Sequence, residues 1–398
     1  MARDRGDEGF FSAFPPLTEI LGSLDGKSCV LSNTFQAGAD FDRSLWRHVR
    51  HVLSSAKGHD KKRVWIDGAR LGAGGLASCA CSMTPGDTMQ SWAERELRGR
   101  EFCIVLNNLE SFDDRIAWAA AHYAADYTRS VDHCGALAIG TFSGSYQSSP
   151  IGIHQDLNLD RTLHFHFGPG TKHLHTWSAG QVPARAMALP PDDELKAVST
   201  VLEVRSGEIA NIETPVLHVG SAPQLCANLC ILFRRFSPFD RLEKVAGQLR
   251  PPQSSPIASG AHSLPALPQA WLPIPFGDVQ AEADRLFRLA NLSNGGLAGR
   301  PMGGLEVVPR SSSVKTKHTD IFPILLTTSF GKQILLARGQ MRYVPEVEGA
   351  TSWMQSLAQG LSVAASELLA LGSTEEERVN LWEFLQWLGK TGAVALDS

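Results

Sequence analysis

Apolar and polar positions alternate through the middle of the chain. Between residues 134 and 236 the runs CGALAIGTFSG, SPIGIHQD, TLHFHFG, HLHTWSAG, STVLEVRSGE, IANIETPVLHVGS and CANLCILFRRF are separated by Gly, Pro, Asn and Asp. A period of two sends successive side chains to opposite faces of a strand, and short strands punctuated by turn formers predict an antiparallel sandwich or barrel. Upstream, apolar residues at 45, 46, 49, 52 and 53 predict a helix over 42–56. Strands are expected at 63–69 and 101–110, and a helix over 113–130 with Asp113 or Asp114 at its N-cap. The Gly- and Ser-rich stretch 70–86 reads as a flexible loop; it lacks the GK[ST] ending of a phosphate loop. Downstream, 250–275 is rich in Pro, Ser and Ala and reads as a linker. A helix is expected over 278–292. The tail 344–396 reads as two or three short helices, a turn and a strand-like AVAL.

Composition narrows the class. The chain has 398 residues, 43% of them hydrophobic and 20% charged, which suits a globular protein of two or three domains. A formal net charge of −4 argues against a nucleic-acid coat or a polybasic membrane anchor. The basic run 310-RSSSVKTKH-318 reads as a solvated loop. The N-terminal stretch is charged, so no signal peptide is expected, and no window approaches the ~20 apolar residues of a spanning helix. A cytoplasmic protein with no membrane partner is the expectation. Seven cysteines without a CxxC pair speak against a zinc ribbon or a disulfide framework. Cys79 and Cys81 read as small buried residues, sharing a face if they lie on a strand.

Candidate chemistry concentrates in 150-PIGIHQDLNLDRTLHFHFGPGTKHLHTW-177, which holds His154, His164, His166, His173 and His175. On a strand, His154 and Asp156 project to one side and can converge. They would be two of the three ligands of a 2-His-1-carboxylate triad. His218, at the end of 207-GEIANIETPVLH-218, is the best third ligand, delivered on a returning strand. His164 and His166 alternate with Leu163, Phe165 and Phe167, so one face of that strand is apolar and the other carries histidine. The favoured reading of that face is a polar inner barrel wall; the alternative is that one histidine orients a ligand. A competing HxH metal site would want a Glu a few residues on, and none occurs before Trp177. His173 and His175 should face away from Lys172.

These elements resemble the JmjC/cupin-like Fe(II)- and 2-oxoglutarate-dependent oxygenases. The resemblance rests on the HxD at His154 and Asp156, on 167-FGPGTKHLHTW-177, and on the Gly207-Glu208 turn leading through Pro215 to His218. It covers about residues 100–237, and more weakly the tail. Glu208 stands where the family has Asp, Val216 and Leu217 stand where it has aromatics, and the segment from Asp156 to Lys172 is longer. The resemblance implies a mainly β fold with α-helices, a double-stranded β-helix (jelly-roll/cupin, JmjC-like) core followed by a helical segment and a winged-helix-like C-terminal domain, as in the bacterial ribosomal-oxygenase type. The implied organisation is an α/β elaboration at 1–95, the catalytic core at 96–240, a linker at 241–275, a helical or dimerisation segment at 276–340, and the winged-helix-like domain at 341–398.

The resemblance further implies Fe(II) held by His154, Asp156 and His218, with 2-oxoglutarate as cosubstrate and O2 as oxidant. It nominates Lys172 for the distal carboxylate of 2-oxoglutarate and Thr162 and Asn228 for further hydrogen bonds to it. Ser143, Ser145 and Tyr146 fall in the segment that would line the substrate cleft. The implied activity is hydroxylation of an amino-acid side chain in a protein or peptide, with a possible homodimer. Two rivals stand beside it: a non-catalytic JmjC-like regulator or binding protein, and an iron-dependent oxygenase that does not use 2-oxoglutarate.

Overall fold

The computed structural model describes residues 11–24, 28–32, 34–36, 39–130, 135–156, 159–178, 180–249, 267–272, 274–317 and 320–397. Most of the expected linker, 250–266, lies outside them, as do Cys134 and His318. The chain packs as two units, residues 1–127 with 137–235, and residues 128–136 with 236–398.

In the first unit the strands are β1 (Cys29–Leu31), β2 (Lys62–Ile66), β3 (Ala69–Arg70), β4 (Phe102–Asn107), β5 (Gly135–Tyr146), β6 (Leu159–His166), β7 (Lys172–Trp177), β8 (Thr200–Val204), β9 (Ile209–Glu213), β10 (Leu217–Cys226) and β11 (Asn228–Arg235). They form a large antiparallel sheet in the order β1-β9-β6-β11-β5-β10-β7-β8, which β4, β2 and β3 extend from β5. The helices are α1 (Leu17–Gly22), α2 (Ala39–Ser54), α3 (Ala73–Ser82), α4 (Met89–Trp92), α5 (Asp114–Tyr123), α6 (Ala125–Ser130) and α7 (Asp193–Ala197). The fold is therefore mixed α/β around a dominant antiparallel sheet.

The alternation along β6 sorts the two faces of that strand as expected. Phe165 packs against Phe14 at 4.6 Å between ring centroids, and Phe167 against Phe41 at 4.8 Å, so the N-terminal aromatics cover one face. His164 and His166 are buried on the other. The stretch 70–86 is a correction: residues 73–82 form α3. Leu76, Cys79 and Ala80 fall at helical spacing and are buried, and that packing outweighs the low helix propensity of Gly74 and Gly75. Cys79 is accordingly buried and Cys81 exposed, on different faces of the helix. Helix α5 starts as read, the Asp113 carboxylate accepting from the backbone N–H of Arg115.

The second unit contains α8 (Pro238–Leu249), α9 (Phe276–Ser293), β12 (Ser313–Thr316), β13 (Leu325–Ser329), β14 (Lys332–Ala337), β15 (Gln340–Tyr343), α10 (Ala350–Ala358), β16 (Val363–Ala364), α11 (Ala365–Ala370), α12 (Glu375–Lys390) and β17 (Val394–Asp397). Past α9, the segment expected to be helical runs instead into strands. The sheet β13-β14-β15 packs with α8 and α9 through Ile334, Leu336, Leu242 and Leu286, with Trp271 in the same cluster. The basic run at 310 is not a free loop: Lys315 sits on β12 and pairs with Asp397 at 2.8 Å, and Arg310 lies over Trp382. No helix among the described residues is long and apolar enough to cross a membrane.

Candidate metal centre

His154 and His218 meet as an isolated antiparallel bridge, each backbone N–H donating to the other's carbonyl at 3.0 and 2.8 Å. The HxD residues were expected on a regular strand. Instead Ile153 and His154 make single bridges and Asp156 follows in irregular chain. Gly152 explains the local path. Its φ is +75°, and a Cβ built on it would lie 2.3 Å from the carbonyl carbon of Ala188, so only glycine fits there.

The two imidazoles are oriented alike. Nδ1 of His154 bonds the Gly152 carbonyl at 2.9 Å, and Nδ1 of His218 bonds the Val216 carbonyl at 3.2 Å. A carbonyl only accepts, so each Nδ1 carries the proton and each Nε2 keeps its lone pair. Those two Nε2 atoms face Asp156 at 3.7 and 3.9 Å, beyond hydrogen-bond range. All three ligand atoms lie within 4.8 Å of one another. Burial first, and His154 second, push the His218 pKa down to about 4, against the pull of Asp156. At neutral pH it is an uncharged donor. Two imidazole nitrogens and one carboxylate, turned toward a common point without bonding each other, fit a divalent transition-metal ion.

Thr162 lines the same cavity, but its hydroxyl donates to Asp156 Oδ2 at 3.0 Å. Its contact is thus with the carboxylate of the triad. Asn228 is fully buried and does not line the cavity. Its amide donates to the Phe142 carbonyl, and its oxygen meets His166 Nδ1 at 3.1 Å. His166 in turn reaches the Gly170 carbonyl through Nε2 at 2.6 Å, so it ties the β6–β7 connection to β11. These bonds take up the side chain of Asn228, which was expected to reach the cosubstrate.

Lys172 opens β7 and is 1% exposed. The alternation along β7 turns Lys172 and Leu174 into the cavity and leaves His173 and His175 half-buried, His175 bonded to Ser199. Gly220 makes room for the lysine: a Cβ there would stand 3.3 Å from Lys172 Cε and 3.7 Å from the Tyr146 hydroxyl. The ammonium lies 4.5 Å from the centre of the Phe142 ring and forms no ion pair among the described residues. Cys226 and Cys230 cannot neutralise it, because burial pushes their thiols up to about 11 and about 12. Burial in turn pulls the Lys172 pKa down. An unpaired lysine in such a place is costly unless something anionic arrives.

Of the groups at and around the cavity, Arg63 escaped the sequence reading, while His164 and Tyr146 were read as an inner-wall histidine and as part of a cleft-lining segment. His164 lines the cavity with Nδ1 against Cys230 Sγ at 3.3 Å and a buried Nε2 without a partner. Burial, then the Lys172 charge, holds its pKa well below normal, so it is neutral. The Tyr146 hydroxyl, which like Lys172 packs around Gly220, is also buried and unpartnered. Arg63, on β2, lines the wall beyond the motif-bearing strands. The cavity holds about 90 Å³, which is a few waters' worth. Asp156 and His154 side chains are 25% and 28% exposed, so that side of the triad lies toward solvent, while His218 and Lys172 are buried.

No protein-family model and no curated sequence matches the chain. Among solved structures the chain is similar to Escherichia coli YcfD, with 13% identity, a TM-score of 0.42, and coverage of 97% of this chain and 99% of that one. A structure of YcfD, described as a ribosomal oxygenase, in complex with cobalt and 2-oxoglutarate aligns at 11% identity with a TM-score of 0.40, covering 96% and 98%. Bacillus subtilis oxalate decarboxylase aligns over 34% of this chain and 26% of its own, at 6% identity and a TM-score of 0.20.

Proposed function

We propose that this protein is an Fe(II)- and 2-oxoglutarate-dependent hydroxylase of an amino-acid side chain in a protein or peptide, built on a double-stranded β-helix core. The observation that carries the reading is one small cavity whose lining holds both the His154, Asp156 and His218 donors and an unpaired, buried Lys172. A dicarboxylate that chelates an ion through one end and carries a second carboxylate answers both features. Iron with 2-oxoglutarate would supply the activation of O2 and the oxidative decarboxylation that drives hydroxylation.

The chain's own residues do the rest. His154 and His218 would hold the ion through Nε2, their rings fixed by the Gly152 and Val216 carbonyls. Asp156 would be the third ligand, with Thr162 holding one carboxylate oxygen and so limiting how the side chain turns. Lys172 would bind the distal carboxylate by a charge-assisted hydrogen bond worth roughly 1.5–3 kcal/mol. His164 Nε2 offers a further polar contact along the wall. Phe142, Leu174 and Leu232 add an apolar lining. In the second unit, α10–α12 with the sheet β16-β12-β17 support reading residues 341–398 as winged-helix-like, with β12 contributed from upstream.

Anaerobic titration of Fe(II) and then 2-oxoglutarate tests the function directly, followed by the weak visible charge-transfer band of the chelate. The band is expected in the wild type, absent in His154→Ala, and to require about 10- to 100-fold more 2-oxoglutarate in Lys172→Ala, the span of the lost hydrogen bond. Iron binding without a band would move the reading to an iron oxygenase that does not use 2-oxoglutarate. No iron binding would end the enzyme reading.

A further inference from the structure

Arg63 has no role in the proposed chemistry, yet it lines the same cavity. It lies on β2 opposite Val105 of β4. Two positions on, Trp65 belongs to the same strand face and pairs with Arg70 across the β2–β3 turn, the Arg70 guanidinium 5.9 Å from the Trp65 ring centre. Arg63 is half-buried, its Nε is fully buried without an acceptor, and it forms no ion pair among the described residues. Burial first, and Arg70 second, lower its pKa, while Asp156 acts in the opposite sense from beyond contact distance.

Asp156 is the one acidic side chain that lines the cavity among the described residues; Lys172 and Arg63 are the two cations. On the proposed function, Asp156 is taken by the ion and Lys172 by the distal carboxylate of the cosubstrate. Arg63 is then left as a half-buried guanidinium in the same cavity as the triad, its Nε buried without an acceptor. A planar donor fork so placed matches a carboxylate in two parallel hydrogen bonds. We infer that Arg63 is a specificity-determining residue and that the substrate presents a carboxylate to it, as an acidic residue of a peptide would. The inference rests on the proposed function and names the substrate class for that same site.

The test uses the full chain loaded anaerobically with Fe(II) and 2-oxoglutarate. The probes are two pools of short synthetic peptides that match except that one has Asp or Glu at the central position and the other Asn or Gln. Each is titrated while the visible band is followed, since a substrate seated beside the ion shifts the band. The acidic pool is expected to shift it at a concentration at least tenfold lower than the amide pool. In Arg63→Gln the band should persist and that ratio should fall to about one, while Arg63→Lys keeps part of it. Equal response to the two pools, no response to either, or a preference that survives Arg63→Gln overturns the assignment. So does a band erased rather than shifted by the acidic pool, which would mean competition with 2-oxoglutarate. Loss of the band in Arg63→Gln would make Arg63 part of the metal site and would equally overturn it. A wild type with no band at all instead refutes the proposed function, and this inference falls with it.

Discussion

At the residue scale, Lys172 shows how burial and function oppose each other. A lysine in an apolar pocket costs stability because its charged form is poorly solvated, and Phe142 offers only partial compensation. Lys172→Met keeps the length and apolar volume of the side chain without the charge. The ligand-free variant is therefore expected to melt a few degrees above the wild type, roughly 2–4 °C per kcal/mol gained for a domain of this size. The same variant should lose the response to 2-oxoglutarate. Thermal melts with and without the cosubstrate check both halves, and an unchanged or lower ligand-free Tm would mean the wild-type ammonium is satisfied in the folded state.

Single elements matter here through how they end. The single bridge between His154 and His218 of β10 is too short to hold His154 by pairing alone, so the Gly152 turn and its carbonyl fix the ring. Gly152→Ala places a Cβ into the Ala188 backbone and forces a left-handed φ on alanine. The expected result is an iron affinity reduced at least tenfold with far-UV circular dichroism close to wild type, measured by competition with a chelator of known affinity. Gly75 offers the contrast: it sits inside α3 with φ in the ordinary range, and a Cβ there meets only the Leu71 side chain at 3.1 Å. Alanine at 75 should leave iron affinity unchanged.

On the scale of the whole molecule, the two units are not cut at one point of the chain. Residues 128–136 belong to the second unit, where Asn291 donates to the Gly135 carbonyl and Gly296 packs on Thr128. Gly135 is also the first residue of β5, the long strand that pairs with β4, β10 and β11 beside the site. A chain ended after Ser237 keeps His154, Asp156, His218 and Lys172 but strips Thr128 and Gly135 of these partners. It is expected to melt at least several degrees lower than the full chain, as read by differential scanning calorimetry. An equal Tm would show that this segment contributes nothing to the stability of the first unit.

The positions that period-two patterning can reach were legible in the sequence. The strands of the central sheet, the apolar and histidine faces of β6, and the turning of His173 and His175 away from Lys172 follow from alternation, because a half-buried strand imposes it on its own residues. The triad residues were legible for a related reason, since an HxD spacing and a glycine-proline turn before His218 are local features. What the sequence could not reveal came from contacts distant along the chain. Packing turned residues 73–82 into a helix despite their glycines, and the partnership of Asn228 with His166 and Phe142 withdrew it from the cavity. The unpaired Lys172 ammonium, His164 Nε2 and Arg63 Nε are likewise tertiary facts. A charge or ring nitrogen is without a partner only when every neighbouring strand has been placed, and no stretch of sequence contains its own surroundings.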